Sequence, residues 1–189
     1  MKTVFGLLFL ALAATAGAAS MNGNSNMNGN SSVRWRTVVG VITAQNVDNP
    51  ICRTDAQGRC MGTTIDSGTF AWSARSGSAR VDLATGETTF RVNGLVINGT
   101  SFSGTAGPIT QIEGTLVCNL GAAMEAVLDT DPVTLSAQGD ARFSGQLADV
   151  PTPCNNPLFL FRIVSPAVAR GRWIATGADL AAPAGAGDY

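Results

Sequence analysis

Residues 137–147 read AQGDARFSGQL. Ala137, Gly139, Ala141, Phe143, Gly145 and Leu147 occupy every second position, with Gln138, Asp140, Arg142, Ser144 and Gln146 between them. A period of two sends alternate side chains to opposite faces of a strand, so this segment predicts a half-buried antiparallel strand with one wet face. The small residues on its inner face imply close approach by another layer.

The same period returns at 77–95. Ala79, Val81 and Leu83 alternate with Arg80 and Asp82; after Ala84-Thr85-Gly86-Glu87, Thr88, Phe90 and Val92 alternate with Thr89 and Arg91. Pairing Leu83 with Thr88 keeps both apolar sets on one face, and Gly86 can supply a positive φ in the loop. A one-residue slip would set Val81 beside Thr89 and split the core face. Asn93-Gly94 and Asn98-Gly99 mark further tight turns. Strands are also expected at 34–44, 65–75, 108–118, 157–164 and 170–178, and one weak helix window lies at Leu120–Leu128. Eight or nine short strands with Gly-rich turns and no βαβ alternation predict an all-β fold: an antiparallel β-sandwich or a partly closed β-barrel.

The ends of the chain read differently. Lys2 precedes an apolar run from Val4 to Ala14, and Ala16-Gly17-Ala18 fits a small-x-small cleavage site, so residues 1–19 are expected to be an export signal peptide. The run is too short for a comfortable membrane span, and no later segment is apolar for long enough. Residues 20–32 (SMNGNSNMNGNSS) hold too little apolar surface to offset ordering entropy and are expected to form a disordered leader. A single β domain is then expected over 33–180, with a flexible tail at 181–189. The expected location is secreted or periplasmic.

Four cysteines, Cys52, Cys60, Cys118 and Cys154, make an even set, which in an exported chain implies two disulfides. Three pairings are possible. The preferred one joins Cys52 to Cys60 across a short loop and Cys118 to Cys154 between distant segments; chain-entropy reasoning gives them about 2.5 and 4 kcal/mol. A four-Cys zinc site is the rival reading, but it lacks a C-x2-C knuckle and a histidine.

Composition limits the chemistry. The chain has no His, and its one Lys, Lys2, lies in the predicted signal. The usual general base, the commonest metal ligand, the usual hydrolase triad and Schiff-base mechanisms are therefore without their residues. No G-x-S-x-G elbow, phosphate-binding loop or zincin motif occurs. The eleven arginines and thirteen acids of the expected mature chain nearly cancel, which gives no electrostatic footprint for nucleic acid or an anionic membrane. No cofactor and no metal are expected. Asp66, Asp82, Glu87, Glu113 and Asp140 lie on or beside strands, and two of them could in principle form a glycosidase pair. Calcium near Asp48-Asn49 and Asp55, or near Asp129 and Asp131, lacks the ordered oxygen spacing of a calcium loop.

One polar pattern stands out. Arg34-Trp35-Arg36 and Arg170-Gly171-Arg172-Trp173 alternate Arg with the opposite face. If the first and last strands are neighbours, Arg34, Arg36, Arg170 and Arg172 line an anion-binding stripe for a carboxylated glycan or phosphate. Arginines on edge strands also block aggregation, which is the plainer reading. Trp35, Trp72 and Trp173 are expected in the core.

The features VNGLVINGT, ITQIEGTLVCN, LSAQGDARFSG, FLFRI and GRWIATGA make the stretch from Gly68 to Gly177 resemble exported bacterial proteins of uncharacterised function. The resemblance implies a shared all-β fold and no activity. The hairpin SARVDLATGETTFRVNGL also looks like the strand-turn-strand of chordin-type domains, although those carry a following His-containing segment and this chain has none. The expected function is thus a non-enzymatic extracellular interaction or envelope role, with a possible glycan or protein partner. The alternatives are a carboxylate-dependent, glycosidase-like hydrolase and a carrier of small apolar ligands.

Overall fold

A computed structural model describes residues 31–43 and 47–181, with side chains described as far as 178. The expected signal peptide, most of the expected leader and nearly all of the expected tail lie outside the described residues. Thirteen strands and one short 3-10 turn are present among those described: β1 (Ser32–Gly40), β2 (Ile51–Thr54), β3 (Cys60–Ile65), β4 (Ala71–Ser73), β5 (Ser76–Asp82), β6 (Glu87–Asn93), β7 (Val96–Asn98), β8 (Gln111–Cys118), β9 (Ala126–Asp129), β10 (Val133–Thr134), β11 (Ala141–Gln146), β12 (Leu158–Ser165) and β13 (Trp173–Ala181), with the turn at Ala167–Ala169.

The fold is all-β. One antiparallel sheet runs in the order β10-β8-β12-β13-β1-β5-β6-β11, and β9 also pairs with β8. It curls into a half-barrel, so of the two expected architectures the curled single sheet is the one adopted. Its edge strands β10 and β11 are joined by a short loop and approach one another. Two small hairpin-like sheets, β2–β3 and β4–β7, stand outside it.

Inside the curl lies an aromatic core. Phe90 meets Phe143, Phe159 and Phe161 at centroid distances of 5.5, 5.9 and 5.2 Å, and Trp35 lies 5.4 Å from Phe159. Phe90 and Phe143 stack while the other pairs are tilted or edge-on, arrangements that suit the ring quadrupole. Glycines on the facing strands make the room. A Cβ on Gly114 would come within 2.6 Å of Phe159 and 2.8 Å of Phe90, and one on Gly177 within 2.6 Å of the Trp35 ring. All three tryptophans are buried, as expected.

The alternation of 141–147 holds: Ala141, Phe143, Gly145 and Leu147 are partly or fully buried while Arg142, Ser144 and Gln146 are exposed. Residues 137–140, however, form the turn that leads into β11. The β5–β6 hairpin also differs in register. Val81, not Leu83, faces Thr88, and Arg80 faces Thr89. The cause is the turn. Asp82 Oδ1 accepts the N–H groups of Ala84 and Thr85, and the Gly86 N–H donates to the Asp82 carbonyl at 2.7 Å, which draws Leu83 into the loop. A shift of two residues preserves every facing, so the core pattern survives. Gly86 has φ +76°, as its loop position required.

Three further expectations are corrected. The helix window at 120–128 is a turn followed by β9, because Asn119, Gly121 and Met124 take positive φ, which breaks any helix. Of the strand expected at 65–75, Ile65 ends β3 and Ala71–Ser73 forms β4, while Ser67 makes an isolated bridge to Trp173. Ser32, assigned to the leader, is the first residue of β1, and Ser31 beside it donates to Asp82 at 2.7 Å.

Both preferred disulfides are present. Cys52–Cys60 closes the β2–β3 hairpin and Cys118–Cys154 ties the end of β8 to the loop before β12. No free cysteine remains. No helix among the described residues is long and apolar enough to cross a membrane.

Candidate functional site

The first and last strands are indeed neighbours, but the four expected arginines do not meet. In the antiparallel β1–β13 ladder Arg34 faces Ala181 and Gly40 faces Ala175. Arg170 and Arg172 precede β13 and so lie beyond the Gly40 end of β1, about 20–30 Å along the strand direction from Arg34 and Arg36. Their side chains are also engaged. Arg172 Nη1 donates to Asp48 Oδ1 at 2.7 Å and to the Ser67 carbonyl at 2.8 Å, while Arg170 Nε donates to the Val164 carbonyl.

Arg34 instead joins a different set. Residues directly opposite in a ladder share a face of the sheet. Arg34 on β1 faces Arg80 on β5, Arg80 faces Thr89 on β6, and Thr89 faces Ser144 on β11. One row along, Ser78 on β5 faces Arg91 on β6, and Arg91 faces Arg142 on β11. Arg36 continues the same face of β1 two residues past Arg34. All five arginines are exposed. A shallow depression of about 300 Å³ is lined by Arg34, Arg80 and Arg91, and a groove of about 560 Å³ between the sheet edges by Arg91, Arg142 and Thr134.

Eight of the eleven arginines have no acidic partner among the described residues, and five of those eight lie on this face. Arg59, Arg162 and Arg172 have acidic partners in Asp55, Asp129 and Asp48. Among the described residues, Arg34, Arg36, Arg80, Arg91 and Arg142 have none within ion-pair distance. Arg80 Nη2 donates to Ser32 Oγ at 3.1 Å. Asp82 and Glu87 bound the face at one end, and Asp140 bounds the groove, its Oδ1 accepting the Gly94 N–H. Like charges directly opposite in a sheet destabilise it by a few tenths to about 1 kcal/mol per pair. The sheet carries two such pairs, Arg34 with Arg80 and Arg142 with Arg91. Edge protection explains Arg142 on β11, but β1, β5 and β6 are interior strands with no free edge.

A second polar cluster lies across the sheet. Arg162 on β12 bonds both oxygens of Asp129 on β9 at 2.9 and 3.2 Å and stands 4.0 Å from Glu113 on β8. Thr115 Oγ1 donates to Asp129 at 2.6 Å, and Arg162 Nε donates to the Gly171 carbonyl. Burial pushes the Glu113 carboxyl above its ordinary range; the Asp129 carboxylate adds to the rise, and Arg162 and Arg170 oppose it. Two carboxylates thus share one guanidinium, an arrangement that ties β8, β9 and β12 together. At the two places weighed for calcium, Asp48 and Asp55 are held by Arg172 and Arg59, and Asp129 by Arg162. No group of three or more acidic, Cys or His side chains poised for a metal occurs among the described residues.

Arg80, Arg91 and Arg142 were legible only as outward positions of their strands. What joins them is the β1–β5 and β6–β11 pairing. With two disulfides and a curled sheet, the chain is a disulfide-bonded all-β domain consistent with an extracytoplasmic protein. Comparison with family models, with curated proteins and with solved structures finds no match to the chain.

Proposed function

We propose that this chain is an extracytoplasmic interaction domain that binds an acidic polysaccharide through the outward face of β1, β5, β6 and β11. The observation that carries the reading is the concentration there of five arginines without acidic partners, two pairs of them directly opposed across interior strands. Guanidinium forks suit carboxylate and sulfate oxygens, and Ser78, Thr89 and Ser144 place hydroxyls between them. An anion bound across the face would relieve the Arg–Arg repulsion that the free sheet bears. The same face has no exposed aromatic platform of the kind single-stranded nucleic acids stack on, which favours a glycan.

Retention on immobilised dextran sulfate and polygalacturonate tests the proposal. The parent chain is expected to be retained at low salt and released as salt rises, since exposed charges are screened within about 10 Å at 0.1 M. Arg80→Glu with Arg91→Glu should abolish retention. Arg53→Glu with Arg59→Glu makes the same change in net charge on the β2–β3 hairpin and should retain most of it. Equal loss in both double variants, or no retention of the parent, would defeat the proposal.

A further inference from the structure

A separate cavity of about 350 Å³ shares no residue with the arginine face. Its walls come from four parts of the chain: Phe70 and Trp72 at β4, Ile97 at β7, Ile109 before β8, and Ile163 on β12, with the 3-10 turn supplying Val168 and Ala169 at the rim. Trp72 and Ile97 are directly paired in the β4–β7 ladder, so these two walls are set by backbone hydrogen bonding. A volume near the lower end of the range for small-molecule sites, lined mainly by apolar side chains, fits a compact ligand of about 10–20 non-hydrogen atoms.

The polar content of the cavity narrows the ligand further. Trp72 is 4 % exposed, yet its indole N–H donates to no protein acceptor among the described residues. Trp173, by comparison, donates its N–H to the Asn49 carbonyl at 3.0 Å. No fully enclosed side-chain nitrogen or oxygen in the described residues lacks a partner, so the Trp72 N–H is not sealed in the core. Trp72 lines the cavity, and its Nε1 lies beside Gly68, another lining residue, 3.5 Å from where a Cβ on that glycine would stand. The charged side chain on the wall, Arg172, has its Nη1 committed to Asp48 and to the Ser67 carbonyl, so the rim is electrically balanced. A charged ligand would gain no counter-ion there.

We propose that this cavity is a binding site for a small, neutral, largely apolar molecule carrying one hydrogen-bond acceptor, which the Trp72 N–H engages. The apolar walls supply the affinity and the indole orients the ligand. For a molecule of this size, dissociation constants of about 10–100 µM are expected.

Prodan, a neutral naphthalene with one ketone, is a suitable probe for the full chain. Saturable one-to-one binding with blue-shifted emission is expected. Ala169→Phe, which fills the cavity from its half-buried rim, should weaken binding at least about tenfold; Thr69→Trp fills it from another wall and serves if the first variant fails to fold. Trp72→Phe keeps the apolar wall and removes the donor, and should weaken prodan about three- to tenfold. The same variant should leave 2-dimethylaminonaphthalene, which lacks the ketone, unchanged. Non-saturating uptake of prodan, or undiminished binding by folded variants with the cavity filled, would overturn the site. Equal loss of both probes in Trp72→Phe would overturn the role given to the indole. Neither outcome touches the arginine face, whose variants are read on acidic polysaccharide.

Discussion

Single residues in this chain do opposite things for stability, and their environments say which. Gly114 has no side chain because the rings of Phe90 and Phe159 fill the space where one would go. Gly114→Ala should cost about 1–3 kcal/mol through overpacking, read as a lower denaturant midpoint at unchanged slope. Glu113 and Asp82 respond to pH in opposite senses. The folded state holds Glu113 above its ordinary pKa, chiefly through burial. Its contribution is therefore most favourable below the ordinary carboxylate pKa and is lost as pH rises through the higher folded value. Glu113→Gln should accordingly compare better with the parent at pH 7 than at pH 4 in thermal melts. Asp82 is held low, first by the Ser31 hydroxyl and then by the Ala84 N–H. The stability it supplies is present above the ordinary pKa and is lost as pH falls through the lower folded one. Asp82→Ala should cost about 1–2 kcal/mol at pH 7, with the difference shrinking in acid.

At the scale of elements, the two disulfides differ in what they restrain. Cys52–Cys60 closes eight residues around the exposed β2–β3 hairpin, whereas Cys118–Cys154 spans 36 residues and anchors a fully buried half-cystine at the end of β8. The longer loop constrains the unfolded chain more. Replacing Cys118 and Cys154 by Ala should lower stability by about 4 kcal/mol and Cys52 and Cys60 by about 2.5 kcal/mol or less, compared by denaturant titration. Legibility also followed the elements. The long strands β1, β5, β6, β8, β11, β12 and β13 were marked by alternation or apolar runs. The short β2, β7, β9 and β10 were not, because two to four residues carry too few alternations to stand out from loop composition, and β3 (CMGTTI) has no apolar alternation to read. Residues 120–128 read as a weak helix because nothing local announces that Asn119 and Met124 will adopt positive φ, stabilised as they are by contacts such as the Asn119 side-chain bonds to Pro153 and Asn155.

For the whole molecule, the pairing of the first long strand with the last decides how the sheet is held. β13 lies between β12 and β1, so it joins the β10-β8-β12 half to the β1-β5-β6-β11 half. Deletion of residues 173–181 should leave two unpaired interior edges, and the truncated chain is expected to be unfolded or insoluble, as judged by circular dichroism of the soluble fraction. The same pairing creates the arginine face. Arg34 and Arg36 were recognised as one face of a strand, but Arg170 and Arg172 were assigned to it without knowledge of register. The ladder sends those two to the far end and brings Arg80, Arg91 and Arg142 in their place.

The sequence by itself determined the fold class and the inward and outward sets of the long strands, and favoured one of three cysteine pairings, because side-chain alternation acts over a few residues and survives any choice of partner strand. Tertiary structure alone decided that the sheet would curl rather than stack in two layers, which arginines would share a face, and that Trp72 would line a cavity. Those outcomes depend on which strands pair and in what register, a contest among contacts distant in sequence that no local pattern encodes.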